Sequence, residues 1–288
     1  EDHEKIRDNI FYCESAMDGV NAMNALKDTA DFPGLLKENR QRLLNEYQRA
    51  KGLETERSEL LKKLKRRRVS FKHYEKPADK FGVQRVEFKL EKIRIDAKSL
   101  FSLNWKFGKQ SSWKQKGVTL EDLKKLENEW VCKADENRWI VPRAVFGLFP
   151  AQSEEDELII YDPEQKDREL TRIRFTVCIG KGRRDKFSVA QFFSSKESGT
   201  MDVAGLAITS AGAETESAVA RFKEEHDSES AMYLQGLSDR TAEDLMDYIH
   251  NLLRHRAELK KGNPGERYSP GYPALEDLAN NRIIYKVL

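Results

Sequence analysis

Long apolar runs are missing from this 288-residue chain. A run such as Leu158-Ile159-Ile160-Tyr161 falls far short of the roughly 20 residues a helix needs to cross a bilayer, so no membrane span is expected. Cysteine is scarce. Cys13, Cys132 and Cys178 lie far apart with no C-x-x-C pair, which argues against a disulfide scaffold or a thiolate zinc site and fits a reducing cytoplasm. The histidines are few and badly placed for metal: His3, His73, His226, His250 and His255 show no ligand spacing. His250 and His255 stand off the i, i+4 register and read as solvated helix surface. No Ser/His/Asp or Cys/His grouping can be argued, so hydrolase and metalloenzyme readings lack support. A surplus of one charge sign is also absent. Lys+Arg 51 against Asp+Glu 49 leaves +2, so no global field recruits nucleic acid or an anionic membrane.

What is present is charge in bulk, 35% of residues, beside 39% hydrophobic residues and 9% aromatic ones. That composition is too apolar for disorder and places the excess charge on surface-heavy segments. The chain opens Glu1-Asp2-His3 without a methionine and reads as a piece of a longer protein. Three stretches are expected. Residues 1–30 carry a short strand, Ile10 to Cys13, and a helix from Ser15 to Leu26, with Ala16, Val20, Met23 and Leu26 on one face. Strand then helix is half of a βαβ unit, the trailing edge of an α/β domain. Residues 31–70 form a charged helical linker, a single helix or a helical pair, with Gly52 marking a break.

Residues 71–288 change character. Val86 to Leu90 alternates as a strand, and Ile93-Arg94-Ile95 resumes with its parity shifted, which suggests a bulge or short break. Ile140 to Leu148 reads as a buried segment and Leu158 to Tyr161 as a strand. Thr171 to Cys178 and Phe187 to Phe193 flank the turn Gly180-Lys181-Gly182 as a hairpin. Ala204 to Ala211 is a further strand. Helices are predicted over Ser217 to Phe222 and Ser228 to Leu253, the second interrupted near Gly236-Leu237-Ser238. Antiparallel hairpins with segregated helices define an α+β class.

Two basic runs invite a function and receive a plainer reading. Lys62 to Arg68 reads as the C-terminal turn of a helix, where the macrodipole favours cations, in preference to a nucleic-acid patch, for no aromatic residue interleaves it. Gly180-Lys181-Gly182-Arg183-Arg184 lacks the phosphate-loop spacing and the following helix that would aim backbone N–H groups at an anion. The segment Glu266-Arg267-Tyr268-Ser269-Pro270-Gly271-Tyr272-Pro273-Ala274 differs in kind. Two prolines stiffen the backbone around one guanidinium and two phenols. An arginine fork suits a carboxylate, and a tyrosine face suits a flat heterocycle or a soft cation such as sulfonium. Gly271 would let a ligand approach the main chain. The same composition also describes a packed surface turn.

At this loop the sequence resembles the activation domain of cobalamin-dependent methionine synthases. Arg267 to Tyr272 is similar to the family's R-x-x-x-G-Y motif, and Ala144 to Ala151 (AVFGLFPA) to its G-V-x-G-L-F-P-A segment. Ala204 to Thr209, Arg221 to Asp227 and Asp239 to Glu243 follow in matching order, and agreement runs from about Ile95 to Leu288. The resemblance implies a C-shaped α+β domain with an antiparallel sheet and flanking helices. It implies a reactivation module that binds S-adenosylmethionine and acts on cobalamin presented by another domain. Its implied partners are a cobalamin-binding domain and a flavodoxin-type or flavoprotein electron donor, with no nucleic acid and no membrane. In the parent reaction a methyl group passes from methyltetrahydrofolate to homocysteine.

Carried over by motif, Arg267 would clamp the ligand carboxylate, and Tyr268, Gly271 and Tyr272 would shape the adenosyl floor. Asp96 would accept from the ligand amine, and Glu243 would face its cationic side. None is a general acid or base, and no metal ligand is implied. The segment Ile10 to Leu26 looks like the end of the family's cobalamin-binding domain, but the Asp-x-His-x-x-Gly motif that supplies the cobalt ligand is absent. The sequence departs from the pattern at Ala97, where the family has Trp, and at Lys261 and Gln191, where it often has acidic residues. Ala97, Lys261 and a C-terminus that stops at Leu288, short of a further segment the family carries, motivate an alternative: a docking module for a cobalamin protein, without competence for S-adenosylmethionine.

Overall fold

The computed structural model describes residues 11, 13, 15–27, 32–69, 81–113, 117–258 and 265–288. The chain divides into two compact units, Glu1–Arg66 with Ile179–Lys186, and Arg67–Cys178 with Phe187–Leu288.

In the first unit, helix α1 covers Ala16–Lys27 and α2 covers Phe32–Lys63. Ser15 and Asp18 cap α1 reciprocally: the Asp18 amide donates to Ser15 Oγ at 3.2 Å and the Ser15 amide to Asp18 Oδ2 at 3.0 Å. The strand expected over Ile10 to Cys13 lies partly outside the described residues, and Phe11 and Cys13 show no regular structure. Gly52 does not break α2. A Cβ there would meet nothing within 4 Å, so no neighbour forces a bend, and one exposed glycine costs a helix only about 1 kcal/mol. The basic run is shared between elements. Lys62 and Lys63 end α2, as the macrodipole favours. Lys65–Arg66 form strand β1, so the run does not end as one helical turn.

The second unit is built on an antiparallel sheet. Its strands are β2 (Gly82–Glu87), β3 (Arg143–Glu154), β4 (Glu157–Tyr161), β5 (Glu169–Arg174) and, later in the chain, β8 (Asp202–Ser210). β3 pairs with β2, β4 and β8, and β4 with β5, all antiparallel. The close approach of β3 to β2 requires Gly147, where a Cβ would lie 2.3 Å from the Gly82 carbonyl oxygen. The strand expected over Val86 to Leu90 sits earlier, and Ile93 to Ile95 is not a strand. The parity shift comes from a 3-10 turn over Leu90–Lys92, which brings Leu90 and Ile93 both to buried positions.

The hairpin expected around Gly180 is much shorter than its sequence pattern. Short strands β6 (Cys178–Ile179) and β7 (Asp185–Phe187) flank the turn, and β7 also pairs parallel with β1. β5 belongs to the large sheet, and Val189–Phe192 is a 3-10 turn. The Gln191 side chain ties that turn in place, accepting from the Ser188 amide at 2.9 Å and donating to the Arg67 carbonyl at 3.1 Å.

Helices complete this unit: α3 (Ala97–Ser99), α4 (Gln110–Trp113), α5 (Leu120–Glu136), α6 (Glu214–Glu224), α7 (Ser228–Arg256) and α8 (Asn280–Val287). α7 is continuous through Gly236-Leu237-Ser238, contrary to the expected interruption. Gly236 is there because the Trp105 indole lies against the helix, and a Cβ would meet its Cδ1 at 2.8 Å. Ala144, Phe146 and Leu148 of β3 pack with Leu245, Ile249 and Leu253 of α7. Phe149 and Ala151 join Leu158, Leu275 and Leu288 in a second cluster, with Ile283, Ile284 and Val287 of α8 against it. Period-2 alternation along β3 therefore feeds α7 on one face and α8 on the other. A third cluster, with Phe101, Trp105, Trp130 and Leu234, holds α5, α6 and α7 together.

Candidate ligand-binding site on helix α7 and the 265–275 loop

α7 is capped by Asp227, whose side chain accepts from the Ser230 amide at 3.0 Å. Its buried stripe, Leu237, Leu245 and Ile249, fixes the helix on the core. Spacings of three and four then set Arg240, Glu243, Asp244, Asp247 and His250 along a common face, by helix geometry.

The loop is held to the sheet. The Thr176 amide donates to the Ala274 carbonyl at 3.0 Å, and the Tyr268 ring meets Phe175 edge-on at 6.1 Å. Gly271 has φ +90 and donates its amide to the Leu275 carbonyl at 2.8 Å; a Cβ there would displace the exposed Leu278 side-chain tip, 2.9 Å away. A left-handed residue at that bend is natural for glycine alone. Tyr268 and Tyr272 stay 41% and 66% exposed, so two rings flank the bend at the surface. Burial, then the Glu266 charge, pushes the Tyr268 phenol upward in pKa.

Arg267 lies against α7. Its Nη1 forms an ion pair with Asp247 Oδ1 at 2.8 Å, and its Nη2 comes no nearer than 3.9 Å to Glu243 Oε2, with 34% of the side chain exposed. Among the described residues nothing engages Nε. Of these residues, the Nε–Nη2 edge of the guanidinium therefore meets only Glu243, at the outer limit of ion-pair distance.

Asp96 meets the same helix from the other side of the chain. Its amide donates to Asp244 Oδ2 at 2.8 Å, and Asp244 is buried with Arg240, 2.9 Å away. The Asp96 carboxylate is already employed as the cap of α3. It accepts from the Lys98 amide (3.1 Å), the Ser99 amide (3.4 Å) and the Ser99 hydroxyl (2.6 Å). The Ser99 hydroxyl bond, supported by the two amides and Arg240, holds its pKa below the ordinary value and keeps it anionic. Of roughly four lone-pair positions on a carboxylate, one is left. Ala97 begins α3 and packs against the helical core.

Asp96 and Arg267 thus each contact α7, at Asp244 and at Asp247, while Tyr268, Gly271 and Tyr272 follow on the anchored loop. Lys261 lies outside the described residues. Sequence reasoning missed Asp247 and placed His250 on solvated surface. His250 is half-buried, and burial together with Arg254 and Arg267 lowers its pKa, against the pull of Asp247 and Glu266. The signal for both was available in the spacing Glu243, Asp247, His250 along one helical face. Among the described residues no group of three or more His, Cys, Asp or Glu could hold a metal ion, and no helix is long and apolar enough to cross a membrane.

An antiparallel sheet between two helices, with the Arg267 loop laid on one long helix, defines an α+β domain. A solved structure described as the MetH reactivation domain bound to AdoHcy is similar to it. The TM-score is 0.63 at 25% sequence identity, covering 75% of this chain and 72% of that chain. The family model for the vitamin B12 dependent methionine synthase activation domain matches residues 94–288. The chain belongs to that family.

Proposed function

We propose that this chain binds S-adenosylmethionine and presents its methyl group to a cobalamin held by another domain, for reductive methylation of cob(II)alamin. The observation that carries this reading is Arg267, set against the helix with Nη1 on Asp247 and its Nε–Nη2 edge approached, among the described residues, only by Glu243 at 3.9 Å. A planar fork with a bidentate edge suits an amino-acid carboxylate. The Glu243 carboxylate beside it favours the ligand's cationic end, and Asp96 keeps one acceptor position for the ligand amine. The exposed rings of Tyr268 and Tyr272 and the main chain at Gly271 supply a floor for the adenosyl group.

When bound, S-adenosylmethionine supplies an electrophilic methyl group. The chain's own residues bind and orient, and none is assigned a proton transfer. In this reading residues 1–30 are the edge of a cobalamin-binding domain, 31–70 a helical linker and 71–288 the ligand-binding domain. The partners are a cobalamin-binding domain and a flavodoxin-type or flavoprotein donor, in the cytoplasm. The parent reaction is methyl transfer from methyltetrahydrofolate to homocysteine.

Isothermal titration tests the reading. Arg267→Ala should weaken S-adenosylmethionine binding by roughly 10- to 100-fold, the loss of a charge-assisted bidentate contact. No binding by the wild type, or equal affinity in the variant, overturns it. A second reading, a docking module without ligand competence, is favoured by the engagement of the Asp96 carboxylate within its own turn. It predicts no rise in melting temperature with S-adenosylmethionine.

A further inference from the structure

The contact between Asp247 and Arg267 supports a further step, which rests on the ligand reading above. Glu243 and Asp247 stand one turn apart on α7, yet they meet the guanidinium unequally. Asp247 sits 2.8 Å from Nη1, whereas Glu243 reaches only to 3.9 Å from Nη2. The closer carboxylate therefore takes one end of the fork and leaves the donors on Nη2 and Nε. Asp247 is also well anchored. Leu245 and Ile249, on either side of it in the chain, are fully buried against the sheet.

We propose that Asp247 is a positioning residue for ligand binding: it holds the Arg267 fork so that the Nη2–Nε edge meets the carboxylate of an α-amino-acid ligand. An arginine side chain carries substantial rotamer entropy, and a fork held in place beforehand loses less of it on binding. The effect is confined to the amino-acid end of the ligand, because Arg267 has no part in the aromatic floor. The pair is not a stability element. Both groups are substantially solvated, with 34% and 61% of their side chains exposed, and such pairs add little to folding.

The test is titration of the full 288-residue chain and its Asp247→Ala and Asp247→Asn variants with two probes. S-adenosylhomocysteine carries the amino-acid end, and 5′-methylthioadenosine is a nucleoside thioether without it. The expected result is an affinity for S-adenosylhomocysteine about tenfold lower in Asp247→Ala, with 5′-methylthioadenosine unchanged within about twofold. Asp247→Asn, which keeps an acceptor oxygen without the charge, should fall between, at about threefold. Circular dichroism should show both variants folded. Equal loss for the two probes, no loss for either, or a gain for S-adenosylhomocysteine as from removal of a competing latch would each overturn the proposal while leaving the ligand reading intact. A wild type that binds neither probe overturns the ligand reading, and this inference with it.

Discussion

His250 and Arg267 share a neighbourhood that neither could have alone. The imidazole is half-buried, and burial, then the charges of Arg254 and Arg267, lowers its pKa. A histidine whose folded value lies below its unfolded value of 6.5 binds its proton more readily in the unfolded chain. Its contribution to stability is complete above the unfolded value and declines as the pH falls from there toward the folded one. His250→Gln should therefore flatten the fall in stability as the pH drops below the unfolded value of 6.5, read as urea midpoints on either side of it. A variant with the wild-type slope would show that other groups govern it. Arg267 itself was legible in the sequence, as the one guanidinium in a proline-stiffened bend. Its partner was not, because Asp247 lies on another element and only packing decides which helical face meets the loop. Asp96 shows the reverse: its motif suggested a ligand contact, and the structure shows it as a helix cap.

Among the elements, glycine is where sequence pattern and structure part company. Gly52 and Gly236 both suggested helix breaks, and both helices run through. The two cases differ physically. Gly52 faces open space, while Gly236 leaves room for the Trp105 indole, whose Nε1 donates to the Tyr233 carbonyl at 3.0 Å. Gly236→Ala should consequently destabilise despite alanine's better helix propensity. The crowding of about 1–3 kcal/mol exceeds a gain of about 1 kcal/mol. Chemical denaturation with tryptophan fluorescence reads this directly, and a variant as stable as wild type would mean the indole can shift. Helices α5 and α8 went unread in the sequence. α5 buries few residues, among them Leu123, Trp130 and Ala134, within a run of charge. Its start is nevertheless marked by a capping box of Thr119 and Asp122, with the Asp122 amide donating to Thr119 Oγ1 at 3.2 Å. The strands β4 and β8 were legible from short apolar runs, and the basic turn at Gly180 from its glycines.

For the molecule as a whole, every residue assigned to the ligand falls in the unit of Arg67–Cys178 with Phe187–Leu288. A chain starting at Arg67 should thus fold and bind S-adenosylmethionine with an affinity within about twofold of the full chain, since no ligand contact is removed. Titration and a single cooperative melt check this. A shortened chain that folds but loses binding would place a ligand contact in the first unit.

Composition and pattern alone determined the α+β class, the lack of an apolar membrane-spanning run, the charged helical stretch before the sheet, and the loop where arginine, tyrosine and glycine meet. Each follows from local chemistry: hydrophobic period, turn residues and charge balance act over a few neighbouring positions. Tertiary structure decided that α7 is unbroken, that Asp96 and Arg267 attach to that helix, and that Asp247 is the arginine's partner. Those outcomes depend on which faces are buried together, a property of the assembled core that no short stretch of chain contains.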